Sequence, residues 1–287
     1  MGVRCMTMRG GTSKGAYFLA GDVPSDRAAR DAFLLSVMGS PDPRQIDGIG
    51  GAHPLTSKVA IVSRSDAPGV DVDYLFCQVL VNEPRVDTNQ NCGNILAGVA
   101  PFAIERGLVE AREGTTRVVV RTLNTGTIAA LTVSTPGGVV TYAGEATLPG
   151  VPGSAAPIRF VFLDVAGSVC GALMPTGKAD ARVLGVDATL IDNGMPVIVM
   201  AAADLGRTGR ESVADLDADT GLKARIEAIR LAASPLMNIA DASAKTVPKI
   251  ALVAEPIAGG AIATRSFIPH AAHAAIGVFA AVSVATA

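Results

Sequence analysis

Three short segments gather most of the side chains that could move a proton or hold an anion. Residues 90–94 read Gln-Asn-Cys-Gly-Asn and run straight into an apolar, Ala/Gly-rich stretch with helical spacing. Cys92 is therefore expected at a helix start, where unpaired backbone N–H groups and the helix dipole stabilise negative charge. The same field favours thiolate over thiol. Asn91 and Asn94 offer amide donors to a carboxylate, and Gly93 permits close approach. An inert buried cysteine is the alternative, and it is the ordinary state expected for Cys5, Cys77 and Cys170.

The second segment, residues 8–15 (MRGGTSKG), sets Arg9, Gly10, Gly11, Thr12 and Ser13 side by side. Glycines let backbone N–H groups approach a ligand, and a guanidinium forks onto a carboxylate. The spacing does not satisfy a Walker A loop, and a solvated turn would look the same. The third, residues 45–58 (QIDGIGGAHPLTSK), is a glycine-dense loop leading through Ser57 to Lys58 at the mouth of an apolar strand. A strand follows where a dinucleotide-binding loop needs a helix. Lys58 is either a lysine with its ammonium snorkelling to water or, if partly buried, a base usable near neutrality. Two further features are weaker. The turn Asn124-Thr125-Gly126 and the one around Asn193 (IDNGMPV, 191–197) could both line a cleft. His270 and His273 are spaced like a metal pair, but with no acidic partner nearby a core or capping role is expected.

The elements that must carry these residues are mostly strands. Short β-branched runs bounded by turn residues fall at 59–62, 74–81, 117–122, 127–133, 158–164 and 196–201. Helical patterns fall at 25–37, behind a Ser25 cap, and at 93–106, 215–231 and 271–285. Strands outnumber helices without alternating with them, which makes the class α+β. Each half holds one helix apolar all round, and such a helix must be enclosed, here by sheet. The join is expected in the Pro/Gly/Ser-rich stretch 147–157, dividing an N-terminal lobe (1–150) from a C-terminal lobe (151–287).

At 287 residues, 49% hydrophobic and 17% charged, the chain can bury a sizeable core and is not disordered. Its net charge of −2 leaves no electrostatic footprint for nucleic acid. The apolar 17-residue stretch at the C-terminus is short and alanine-rich for a membrane span. No signal peptide is read at the N-terminus, and four scattered cysteines indicate neither a disulfide framework nor a zinc site. A reduced, cytoplasmic setting is expected.

MRGGTSKG, QIDGIGGAHPLTSK, QNCGNILAGV and IDNGMPV together resemble the PrpF-type isomerases, in order from residue 8 to the C-terminus. The resemblance implies the diaminopimelate epimerase-like fold: two pseudo-symmetric lobes, each a sheet rolled around a central apolar helix, with the site in the cleft between them. Relatives continue past the second central helix, so the C-terminal lobe is expected to be incomplete.

The resemblance also implies a proton shift on a tricarboxylate without metal or other cofactor. The substrate would be 4-oxalomesaconate, from gallate and protocatechuate breakdown, or alternatively 2-methylaconitate for cis–trans isomerisation. Lys58 matches the family's acid/base lysine and Cys92 the cysteine at the central helix. Arg9, Gly10, Gly11, Thr12, Ser13, Ser57, Asn91, Gly93, Asn94 and Asn193 match positions that hold substrate. Neither nucleic acid nor membrane is implied as a partner; a homodimer stays open. A two-thiol racemase would need a second cysteine at 268–273, and none is there. From other classes, a Cys92 nucleophile in a hydrolase or transferase would want His53, His270 or His273 as its base. A non-catalytic carboxylate-binding protein would bind without proton exchange.

Overall fold

The computed structural model describes residues 2–89, 91–163, 165–257, 259–268 and 270–287. They fall into two compact units, Met1–Asp164 and Val165–Ala287. The first begins with a hairpin, β1 (Met6–Gly10) and β2 (Ser13–Leu19), followed by α1 (Arg27–Met38), β3 (Lys58–Arg64), β4 (Val72–Val79) and β5 (Val86–Asp87). Then come α2 (Gly93–Glu105), β6 (Gly114–Thr122), β7 (Ile128–Thr135) and β8 (Arg159–Leu163). The sheet order is β1-β2-β3-β4-β6-β7-β8, with β5 on β4. Pairing is antiparallel except for β2 with β3 and β4 with β6.

Strand alternation decides which side chains meet which helix. Tyr17, Ala60, Val62, Tyr74, Phe76, Val118, Val120 and Leu131 face α2. Ala16, Phe18, Val59, Ile61 and Cys77 face the other way, onto Leu34 and Met38 of α1. β1, β2, β3, β4, β6 and β7 all contact α2, so the sheet curls around it. Every residue of α2 from Gly93 to Ala103 is buried, as an all-apolar helix requires. Burial of Ile95, Leu96, Val99 and Phe102 contributes roughly 6–12 kcal/mol, an upper figure because unfolded chains already hide some apolar surface. The helix stops where expected, with Gly107 at φ 70° just past it. The cap of α1 is Asp26, whose carboxylate accepts from the Ala29 N–H at 2.9 Å, one residue after the expected Ser25.

The second unit contains β9 (Ala181–Val183), β10 (Val186–Asp192), β11 (Pro196–Ala201), α3 (Val213–Ala218), α4 (Thr220–Ala233), β12 (Lys249–Ala254), β13 (Ala263–Phe267) and α5 (Val278–Thr286). Its sheet runs β13-β12-β11-β10-β9, with only β11 and β12 parallel. Leu222, Ile226 and Ile229 of α4 cover one face, and Val284 of α5 packs on Ile191, Val197, Val199 and Ala251 of the other.

Three expectations are corrected. The first unit runs through Asp164 rather than residue 150, because β8 pairs with β7 from Ile128↔Leu163 to Thr132↔Arg159. The helix expected at 215–231 is two helices. Asp219 closes α3 and caps α4, accepting from the Leu222 N–H at 2.9 Å. The last helix begins at Val278, not near residue 271. Before it the chain folds back on β13, with Ile268 donating to Ala271 O and His273 to Ser266 O, so those backbone groups are not free to start a helix. In α5 only Phe279, Ser283 and Val284 are buried, so this helix lies on one sheet face and is not enclosed as α2 is. Among the described residues no helix is long and apolar enough to cross a membrane.

Candidate active site

The glycine-rich segment is a hairpin turn. Gly10 pairs with Ser13, leaving Gly11 and Thr12 as a two-residue loop with Gly11 at φ +51°. This turn rests on the first turn of α2. A Cβ on Gly10 would lie 2.1 Å from Asn94 O, and one on Gly11 would lie 2.4 Å from Asn94 Oδ1. Asn94 Nδ2 donates to Thr12 Oγ1 at 2.7 Å, tying the two elements together. Arg9 is exposed, its Nη1 donating to Gly11 O at 2.7 Å. Ser13 is buried, and its Oγ has no hydrogen-bond partner. Its side chain shares the inward face with Gly10, because cross-strand pairs project to the same side.

Cys92 is the N-cap residue of α2 and is half-buried. No side chain caps this helix and no acidic residue sits in its first turn. The free N–H groups and positive dipole end are therefore left for an anion. Asn91 donates from Nδ2 to Thr122 Oγ1 at 3.2 Å and also to Thr125 Oγ1, while its Oδ1 is buried without a partner. Asn124 buckles this corner to the sheet, accepting from Phe76 N and donating to Phe76 O and Thr88 O at 2.8–2.9 Å. Two tyrosines sit beneath. Tyr17 donates to Ile95 O at 2.7 Å and Tyr74 to Cys92 O at 3.4 Å. Burial first, and the nearby Cys92 second, push both phenols well above their ordinary range, so they remain donors.

Lys58 opens β3 on the same sheet face, opposite Gly15 of β2 and Gln78 of β4. It is only 8% exposed, which excludes the snorkelling alternative. Its Nζ donates to Gln78 Oε1 at 2.6 Å and lies 5.1 Å from the Phe76 ring centre.

The structure thus brings Gly10, Gly11, Thr12, Ser13, Asn91, Cys92, Gly93 and Asn94 together around the start of α2, with Lys58 on the facing sheet. Ser57, expected among the substrate-holding positions, lies within the loop before β3. It is fully buried, accepts from Gln45 Nε2 at 2.7 Å and donates to Val79 O at 2.8 Å, so its hydroxyl braces the loop. Gln45 holds that loop from within, donating to Ser40 Oγ and accepting from Ala52 N. Asn193 belongs to the second unit. There its Nδ2 donates to Thr286 Oγ1 at 3.0 Å and its N–H to Ser283 Oγ at 3.2 Å, placing it beside the later turns of α5. His273 Nδ1 accepts from Ala275 N, and His270 Nδ1 lies 3.6 Å from Glu227 Oε2. Among the described residues no three metal-ligating side chains cluster. Gln90 and Pro269 lie outside the described residues. Thr125 lies in the turn 124–126, expected as a candidate cleft lining, whereas Gln78 and Thr122 were missed from the sequence. Only Gln78 left a signal there, as a polar residue at an inward position of an apolar strand.

The chain is similar to known proteins along nearly its whole length. The family model described as PrpF protein matches residues 1–287. The chain is 65% identical over 283 residues to a (4E)-oxalomesaconate Delta-isomerase from Novosphingobium sp. (strain KA1), covering 99% of this chain and 79% of that protein. It is 59% identical over 285 residues to a 4-oxalomesaconate tautomerase from Pseudomonas putida, again covering 99% and 79%. A crystal structure of a methylitaconate-delta-isomerase superposes with a TM-score of 0.82 at 35% identity, covering 98% of this chain and 79% of that one. The chain belongs to the PrpF protein family.

Proposed function

We propose that this chain is an isomerase that shifts a proton on 4-oxalomesaconate, with Lys58 as the base. The observation that carries the reading is a nearly buried lysine amine on the sheet face that packs against an uncapped helix start. The two relatives at 65% and 59% identity, named for oxalomesaconate, supply the substrate. In the neutral form Lys58 takes a proton from a carbon next to a ketone or carboxylate. The C–H electron pair becomes part of a new double bond, the old double bond moves one carbon along, and negative charge spreads onto oxygen. The N–H groups at the start of α2, with Ser13 Oγ and the Asn94 amide, receive that charge; preorganised donors of this kind are a large part of such catalysis. Protonation at the far allylic carbon, by Cys92 or by the lysine ammonium, completes a 1,3 shift. Arg9, exposed beside the turn, is assigned to an outer carboxylate.

Methylitaconate isomerisation is the second reading, favoured by the superposed crystal structure, but at 35% identity its support is weaker. The test is to mix the protein with each acid in D2O and follow double-bond position and deuterium uptake. Lys58→Ala should lose about 10²–10⁴-fold in turnover while remaining folded. A loss below about tenfold overturns Lys58 as base, because a positioned base contributes more than that. Binding without deuterium uptake overturns the enzyme reading.

A further inference from the structure

Gln78 interrupts an apolar stripe. The inward positions of β4 run Val72, Tyr74, Phe76 and then Gln78, whose cross-strand partner is Lys58. Its Nε2 donates to Pro54 O at 3.1 Å and to Ser57 O at 2.9 Å. Those two bonds use both amide hydrogens and so fix which way round the amide lies. Oε1 is left facing Lys58 and accepts from Nζ at 2.6 Å. The Phe76 ring, 5.1 Å from Nζ, is the other neighbour. An aromatic face attracts a cation without carrying net charge. Both of these partners are neutral.

The charged and titratable groups around this pair are few. Tyr17 of β2 and Tyr74 of β4 are buried and protonated. Cys92 stands at the start of α2, and Lys14 of β2 is exposed. Asp87 of β5 is cross-strand from Gln78 on its other side, and its Oδ1 accepts from Asn89. Across three adjacent strands the row reads amine, amide, carboxylate. Two strand spacings keep the carboxylate roughly 10 Å from the lysine.

We propose that Gln78 is a positioning residue for Lys58. It anchors the amine with a neutral acceptor of fixed orientation, and its amide stands where a carboxylate would hold the lysine permanently charged. The proposal rests on the reading of Lys58 as the base, and the experiment separates the two. Gln78→Glu and Gln78→Leu are compared with the unaltered protein for kcat and KM between pH 6 and 10. Trinitrobenzenesulfonate labelling of Lys58, located by peptide mapping, is followed over the same range as a readout independent of turnover.

In Gln78→Glu the rising limb of kcat/KM, and of labelling, should move up by about one pH unit or more, as for an amine given an adjacent opposite charge. KM should stay within about threefold, because the Gln78 amide is fully engaged by Lys58, Pro54 and Ser57. Gln78→Leu should lose about tenfold or more in kcat, the scale on which a misplaced base fails. Glu differs from Gln only in its terminal group, and thermal unfolding checks that each variant folds. Unmoved rate and labelling profiles in Gln78→Glu, or a loss confined to KM in Gln78→Leu, overturn the proposal. If Lys58→Ala keeps its turnover, the base assignment fails, and the labelling profile still decides whether Gln78 governs the amine.

Discussion

Replacing Gly10 by alanine tests whether the hairpin turn positions the start of α2. The new methyl would stand 2.1 Å from Asn94 O, 3.0 Å from Asn94 C and 3.1 Å from Tyr17 Oη. That is about 1.3 Å short of ordinary contact with the oxygen. Two of these atoms are backbone, so no flexible side chain can yield. The hairpin and the first turn of α2 must separate, which strains the 2.7 Å bond from Asn94 to Thr12. Overpacking of this kind costs about 1–3 kcal/mol. For a unit of this size that lowers Tm by roughly 2–12 °C. A displacement near 1 Å also costs about 10²-fold in rate when it moves reacting groups. The assay is kcat/KM with 4-oxalomesaconate alongside thermal unfolding. Gly21→Ala serves as the control, since a Cβ there meets nothing within 4 Å. Native rate and native Tm in Gly10→Ala would refute the packing argument, as would equal losses in the control.

Brief alkylation should spare Cys77 and Cys170, which are buried and whose thiols burial pushes up to about 12. Cys5 is exposed and should label with Cys92, but substrate should protect Cys92 alone; peptide mapping decides. Exhaustive EDTA treatment should leave turnover unchanged, and a loss restored by a divalent metal would show that an essential ion has been overlooked. Arg230→Met should cost about 3 kcal/mol. The guanidinium is fully buried, donates to Glu227 at 2.7 Å through both Nε and Nη2, and gives Ala242 O a 2.9 Å bond. Hydrogen bonds from Arg230 hold the Glu227 carboxyl below its ordinary range, so that contribution is full above the ordinary value of about 4.3 and fades as pH falls through the lower folded value. The stability gap between native protein and Arg230→Met should narrow correspondingly in acid, as measured by denaturant unfolding against pH.

The start of α2 was legible because an Asn-Cys-Gly turn abuts a long apolar run, so one local pattern names both the helix and the residue that begins it. The strands through Val59, Tyr74, Val118 and Ile198 were legible from their β-branched runs. Other features depend on pairing across the chain. Gln78 meets Lys58 only through the register of β3 and β4, and no local pattern specifies that register. Ser57 looks like a free hydroxyl until Gln45 and Val79 are seen to occupy it. The Gly10–Ser13 segment looks like a ligand loop, whereas its glycines serve a turn pressed against Asn94. The break at Asp219 comes from its side chain capping α4, whereas the late start of α5 comes from backbone groups already bonded in the fold-back on β13.

Threading α2 through a curled sheet also orders events in time. Its neighbours arrive from both sides of it in sequence: β1 to β4 are made before the helix, β6 and β7 after it. Thr125, which holds Asn91, is synthesised long after Arg9; at about 5–20 residues per second the interval is roughly 6–23 s. Throughout that interval the inward faces of Tyr17, Tyr74 and Phe76 have no complete cover on the nascent chain. The first unit is therefore most open to wrong association before β7 emerges. Recovered activity during refolding would report the closing of the sheet on the helix rather than the formation of any single element.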